Sequence, residues 1–218
     1  MERHLVGIVI PAYNEERTIL HVIEKVSRYG VPIVVNDASS DQTEQVAQAA
    51  SAQVVTHPYN MGYDAALESG FGRADVLGCQ LVITVDADGQ HPPELLQEYI
   101  DRLSNTADVV AGVRDVKQRF AERLFGWLTT LLYGVQDPLC GMKGYRIAVY
   151  QRAGHFDSYH SIGTELLLFA LRSGFQVEQV AVKTRKRQGR SRFGQVFSGN
   201  YKIMRAMVLS FIKIQPAQ

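Results

Sequence analysis

Cysteine is scarce in this sequence. The 218 residues hold two cysteines, Cys79 and Cys140, far apart and in no zinc-binding spacing. They are expected to be buried in a reducing compartment, with a disulfide as the alternative. Long apolar runs are missing too. The longest uncharged apolar run, Leu124 to Gln136, falls short of the ~18 residues a membrane span needs. The chain enters a strand pattern within a few residues of its start, so no signal peptide is expected. Net charge is only +1, which gives no overall nucleic-acid signature. No internal repeat, low-complexity tract or linker appears, and residues 1–218 are expected to form a single domain. What remains is an ordinary globular composition, 46% hydrophobic and 21% charged, in a chain long enough for a full core.

The apolar runs that do occur are short and rich in β-branched residues. Val6 to Ile10, Val31 to Val35, Val54-Val55, Val82 to Val85, Asp108 to Gly112 and Val177 to Val182 read as strands. Segments of helical spacing separate them, through Ile19 to Val26, Val46 to Ala50, Ala66 to Phe71, Glu94 to Leu103 and Thr164 to Ser173. Asp41 or Thr43 suits the start of the second helix. A last amphipathic helix is expected over about 195–214. Strand alternating with helix at this spacing predicts an α/β fold of right-handed βαβ units around a mostly parallel sheet.

Three of these strands end in polar residues: Tyr13 and Glu15 after the first, Asp37 after the second, Asp86 and Asp88 after the fourth. In an open α/β sheet, ligands bind at the carboxyl ends of strands. Two carboxylates one residue apart repel unless a cation lies between them. Oxygen ligands from Asp86, Asp88 and Gln90 suit a hard divalent ion, Mg²⁺ or Mn²⁺, that also holds phosphate. A solvated acidic turn is the plain alternative. A basic loop, Lys183 to Arg192, offers countercharge.

Taken together the motifs resemble the family 2 glycosyltransferases of GT-A fold, and within them the polyprenyl- or dolichol-phosphate mannose and glucose synthases. Pro11-Ala12-Tyr13-Asn14-Glu15 is similar to P-x-Y-N-E, and Asn36 to Thr43 to D-D-x-S-x-D-x-T. Asn60-Met61-Gly62 is similar to the opening of N-x-G-x-G-x-A, and Asp86 to Glu94 to D-A-D-L-Q-H-P-P-E. Asp137 to Lys143 is similar to D-x-x-C/S-G-F-K/R, and Gly189 to Arg192 to G-x-S-K/R. Asn36, Asp64 and Gly89 depart from the usual Asp, Gly and Leu. Lys186, flanked by Arg185 and Arg187, stands where an Arg is usual.

The resemblance implies a Rossmann-like central sheet with helices on both faces and an inverting, metal-dependent hexose transfer. The donor would be a GDP- or UDP-linked sugar, and the acceptor a dolichyl or undecaprenyl phosphate. Pro11, Tyr13, Glu15, Val35 and Asp37 would hold base and ribose. Asp86, Ala87, Asp88 and Gln90 would hold diphosphate and metal. Arg114, Lys186, Arg187 and Arg192 would grip phosphate. Asp88 and Arg114 are the expected catalytic residues, with Asp137 as the one alternative general base. An anionic acceptor attacks without such a base. A saccharide acceptor, which needs one, and a non-catalytic nucleotide-sugar-binding module are the competing readings. The chain ends without the transmembrane helices of many relatives, so a cytoplasmic protein peripheral to the membrane's cytoplasmic face is expected. Leu124 to Tyr133, behind Lys117, Arg119 and Arg123, would lie at the lipid surface or pack on the core. The last helix would do the same or pair two copies into a homodimer.

Overall fold

The computed structural model describes residues 5–115, 119–185 and 196–213, the side chains of the last stretch from 199 to 212. Its strands are β1 (Val6–Ala12), β2 (Val31–Asn36), β3 (Gln53–Thr56), β4 (Leu81–Thr84), β5 (Val109–Arg114), β6 (Lys143–Arg146) and β7 (Val177–Val182). Its helices are α1 (Ile19–Val26), α2 (Thr43–Ala49), α3 (Tyr63–Val76), α4 (Leu96–Asn105), α5 (Phe120–Tyr133), α6 (Ile147–Ala153), α7 (Glu165–Arg172) and α8 (Val196–Lys213). A 3₁₀ turn at Pro93–Leu95 leads into α4.

One seven-stranded sheet has the order β3-β2-β1-β4-β6-β5-β7. β1 pairs in parallel with β2 and β4, β2 with β3, and β5 with β7. β6 alone runs antiparallel, between β4 and β5. Alternate strand residues feed opposite faces, as the two-residue period requires. Ile8, Ile10, Ile83 and Val110 join α1, α2 and α4 in one core. Val9, Val82, Val109 and Ala111 join α3, α6 and α7 in the other. Both cysteines are buried and unbridged. Burial pushes the Cys140 thiol up to about 12, ahead of the nearby Asp137 charge, so it is inert near neutral pH.

Beyond α5, a helix over a stretch that the sequence marks only as uncharged and apolar, two details differ from the sequence pattern. Pro11 does not end β1; it pairs in register with Val35, and Asp37 N–H still donates to Ala12 O at 2.9 Å. Strand residues alternate the side to which their backbone polar groups point. Pro11 therefore turns toward β4, whose pairing with β1 has stopped at Val9 and Thr84. Its missing N–H leaves no ladder bond unmade. The second difference is β6 and α6, which no apolar run announced. Lys143-Gly144-Tyr145-Arg146 gains its strand from neighbours on both sides rather than from its own propensity.

Topology fixes where function can sit. From β1 the chain steps outward to β2 and β3, then returns across β1 to β4. The reversal opens a crevice between the carboxyl ends of β1 and β4. Because β6 runs backwards, the loop that precedes it, 137–142, arrives at this same edge.

Candidate active site

The first wall of the crevice is the β1–α1 turn. Asn14 has φ 54°, a left-handed conformation that Asn tolerates well. Its N–H donates to Ser39 Oγ at 2.9 Å, while its Oδ1 accepts Ser40 N–H at 2.8 Å. Glu15 N–H donates to Thr43 Oγ1 at 2.7 Å, and Glu15 Oε2 accepts the Thr18 hydroxyl at 2.9 Å. The β1 and β2 loops are thus one laced unit, with Tyr13 half-buried on it. Val35 is fully buried, so only its backbone can face a ligand.

Asp37 is more occupied than its sequence suggests. Oδ1 accepts Met61 N–H at 2.8 Å and lies 2.7 Å from His57 Nδ1; Oδ2 accepts Gly62 N–H at 2.8 Å. A carboxylate only accepts, so His57 donates from Nδ1, and Nε2 takes the Ser69 hydroxyl at 2.8 Å. Asp37 therefore ties the β3–α3 loop to the end of β2. His57, buried and decisive for this arrangement, carried no sequence signal.

The second wall is the turn after β4. Asp86 is one-third exposed, whereas Asp88 is 5% exposed and its Oδ1 accepts Gln90 N–H at 3.0 Å. Gly89, with φ 73°, makes the left-handed step between them, which a leucine adopts only at a cost. His91 braces the turn: Nδ1 accepts Asp86 N–H at 3.1 Å, and Nε2 lies 3.7 Å from Asp86 Oδ2. Tyr63 hydroxyl approaches Asp86 Oδ1 at 3.4 Å. Burial, with Asp86 beside it, holds that phenol well above its usual range. Gln90 Nε2 donates to Arg185 O at 3.3 Å, which leaves the amide oxygen as the atom to offer a cation. Arg185 N–H returns a bond to Gln90 O at 3.0 Å. The basic loop therefore starts on the Asp86–Gln90 turn. Lys186, Arg187 and Arg192 themselves lie outside the described residues, as does Lys117.

The loop before β6 closes the site. Thr84 Oγ1 donates to Gly141 O at 2.6 Å and accepts Lys143 N–H at 3.1 Å, pinning that loop against β4. A Cβ on Gly141 would lie 2.9 Å from Asp86 Oδ1 and closer still to Oδ2. The missing side chain makes the space in which Asp86 stands. Lys143 is buried, with Nζ donating to Cys140 O at 2.6 Å, and burial pulls its ammonium below the usual lysine value.

Arg114 and Asp137 meet each other. Arg114 Nε and Nη2 donate to Asp137 Oδ2 and Oδ1 at 2.8 and 2.9 Å, and Arg114 backbone N–H adds a third bond at 3.1 Å. Glu122, itself buried, lies 3.4 Å from Arg114 Nη2 and 3.6 Å from Arg119 Nη1. Although burial alone would lower it, the Asp137 carboxylate holds the Arg114 pKa above its usual value. Asp137 is 2% exposed and fork-bonded, a poor posture for taking a substrate proton.

Carboxylates at Asp86 and Asp88, an amide oxygen at Gln90 and the space left by Gly141 fit a hard divalent cation. Another group, Asp64, Asp157 and His160, brings three ligand-type atoms within 4.8 Å of one another. Its oxygens already serve the fold. Asp64 Oδ1 accepts Gly163 N–H at 2.6 Å, and Asp157 takes His160 and Ser161 N–H at 2.8 and 2.7 Å. Burial, ahead of the Asp157 charge, pushes Asp64 from 3.8 up to about 6. The native protein therefore keeps a proton that the unfolded chain has released between about pH 4 and 6. Stability falls as pH rises through that window, by on the order of 2–3 kcal/mol from this group. Asp64→Asn keeps the Gly163 acceptor without the buried charge. Thermal melts should show it more stable than wild type at pH 7.5, with the gap closing toward pH 4.

The profile of the family described as Glycosyl transferase family 2 matches residues 7–134. Dolichyl-phosphate hexose transferase of Haloferax volcanii is 27% identical over 215 residues, spanning 93% of this chain and 92% of that protein. Undecaprenyl-phosphate 4-deoxy-4-formamido-L-arabinose transferase of Pseudomonas paraeruginosa is 31% identical over 169 residues, 67% of this chain and 48% of that one. Among solved structures, glucosyl-3-phosphoglycerate synthase of Mycobacterium tuberculosis, in complex with Mn²⁺ and uridine-diphosphate-glucose, aligns with a TM-score of 0.77 at 23% identity. The match covers 98% of this chain and 81% of that one, a likeness of fold.

Proposed function

This chain belongs to glycosyl transferase family 2, and we propose that within it the protein moves a hexose from a nucleotide-sugar to a polyprenyl phosphate, with inversion. The observation that carries the choice of acceptor is the Arg114–Asp137 fork. A saccharide hydroxyl needs a base to take its proton, and the carboxylate best placed by sequence is committed elsewhere. A lipid phosphate brings its own negative oxygen. The two curated relatives above, named for polyprenyl-phosphate acceptors, support the same reading.

The laced β1 and β2 loops would seat base and ribose on Pro11, Tyr13, Glu15 and the Val35 backbone. Asp37 would act by holding the 57–62 loop in shape. Asp86, Asp88 and Gln90 would hold Mg²⁺ or Mn²⁺ against the diphosphate. The ion supplies stabilisation for charge on the leaving group. Arg114 and the basic loop that begins at Arg185 add countercharge. The acceptor phosphate oxygen forms its bond to the anomeric carbon as the bond to the donor diphosphate breaks. The electron pair departs with the nucleoside diphosphate. A single in-line displacement inverts the centre. Among the described residues no helix is long and apolar enough to cross a membrane. In this reading the lipid acceptor would be met by peripheral contact at the membrane's cytoplasmic face.

Labelled GDP- and UDP-hexoses, supplied with Mn²⁺ or Mg²⁺ and a polyprenyl phosphate, should yield organic-extractable sugar, and a chelator should abolish it. Transfer to free saccharides with none to the lipid phosphate would overturn the reading. The correct donor should also raise apparent stability by ~2.7 kcal/mol at a hundredfold excess over its Kd.

A further inference from the structure

α5, whose Glu122 meets Arg114, packs beside α8. Ala121 N–H donates to Asn200 Oδ1 at 3.4 Å, and the Phe125 and Phe211 rings meet edge-on at 6.4 Å. Ala121, Phe125, Ile203 and Met207 are buried together with Leu168 of α7. That satisfies one face of each helix. The opposite face is apolar as well. α5 exposes Phe120 (72%), Trp127 (61%) and Leu131 (68%); α8 exposes Tyr201 (71%), Val208 (47%) and Ile212 (71%). Each trio has the spacing i, i+7, i+11, which places its members within about 20° of one line along a helix. Isolated exposed apolar residues need no explanation, but two matched stripes on adjoining helices do.

Charge narrows what covers them. Arg123 on α5 and Lys202 and Arg205 on α8 are exposed. α8 has no acidic residue, and the single acid of α5, Glu122, is buried against Arg114 and Arg119. A second copy docked on this face would set like charge against like, without an acid to answer it. An anionic bilayer answers both features: acyl chains take the stripes, and headgroups take the cations. α5 also follows directly on β5, whose last residue, Arg114, stands at the crevice. We propose that the α5–α8 face is a docking surface for anionic membrane. Its two apolar stripes would sink to the headgroup–acyl boundary beside the acceptor side of the site. The choice of a lipid occupant rests partly on the acceptor reading above; the test below does not.

The chain has one tryptophan, and it lies on this face. Titration with vesicles of phosphatidylcholine plus phosphatidylglycerol, free of donor and acceptor, should blue-shift Trp127 emission and make it quenchable by brominated acyl chains. Phosphatidylcholine alone should act more weakly. Leu131→Glu combined with Ile212→Glu keeps the reporter and alters only exposed side chains. It should partition about tenfold or more weakly, with circular dichroism and donor binding unchanged. No emission change with anionic vesicles, or equal binding by the double variant, would overturn the proposal. So would a lipid-free dimer, seen by sedimentation, that the double variant splits. Docking without any transfer would leave this face assigned and remove the acceptor reading. Transfer to lipid phosphate without docking would do the reverse.

Discussion

Gly141→Ala should leave the protein folded and lower transfer by about a hundredfold, the typical cost of displacing a reacting group by an ångström. The new methyl would press on both oxygens of Asp86. Something must give, and the loop cannot, because Thr84 holds it by Gly141 O and Lys143 N–H. The end of a one-third-exposed aspartate moves more readily than a pinned backbone. The damage should therefore appear in donor and metal use, with little change in Tm. Steady-state assays over a range of Mn²⁺ separate the outcomes. A shift in metal dependence supports the cradle; normal kinetics would show that Asp86 does not work from its observed position.

Arg114→Met should cost about 3–5 kcal/mol, or roughly 10 °C in Tm for a chain of this size. It takes both bonds of the guanidinium fork from Asp137, a carboxylate only 2% exposed, and it removes one of the cations beside buried Glu122. Adding Asp137→Leu removes that buried charge and should restore much of the loss. Activity separates the two roles of the arginine. If it serves only to hold Asp137, the double variant recovers turnover along with stability. If it also grips phosphate, the double variant melts near wild type yet stays slow. Thermal melts and turnover measured on the same three variants decide this.

The sequence exposed those parts of the molecule whose burial leaves a local trace. Four of the six strands read from β-branched runs, β1, β2, β4 and β5, owe their shape to being buried on both faces, and the Asp86–Gln90 turn is a continuous motif. The GT-A sheet was legible on that basis. β6 was not, since a Lys-Gly-Tyr-Arg tetrad becomes a strand only once β4 and β5 offer it partners. The same holds for the site's supports. Thr84 meets the Gly141 loop across 57 residues of sequence, and His57 finds Ser69 through the packing of α3. Arg114 and Asp137 each read as an independent functional group. Their mutual fork is a property of the fold, because β6 runs backwards and delivers the 137–142 loop to the end of β5.

That reversed strand also makes the molecule two pieces of chain joined at a seam. β3, β2, β1 and β4 come from residues up to Thr84, while β5, β6 and β7 come from Val109 onward. The β4–β6 ladder joins them. Asp86 hangs from one side of the seam, and Gly141, which shapes its berth, hangs from the other. A ligand seated between them works as a clasp. Its binding energy opposes any parting of the half-sheets, and the catalytic geometry exists only while they are closed.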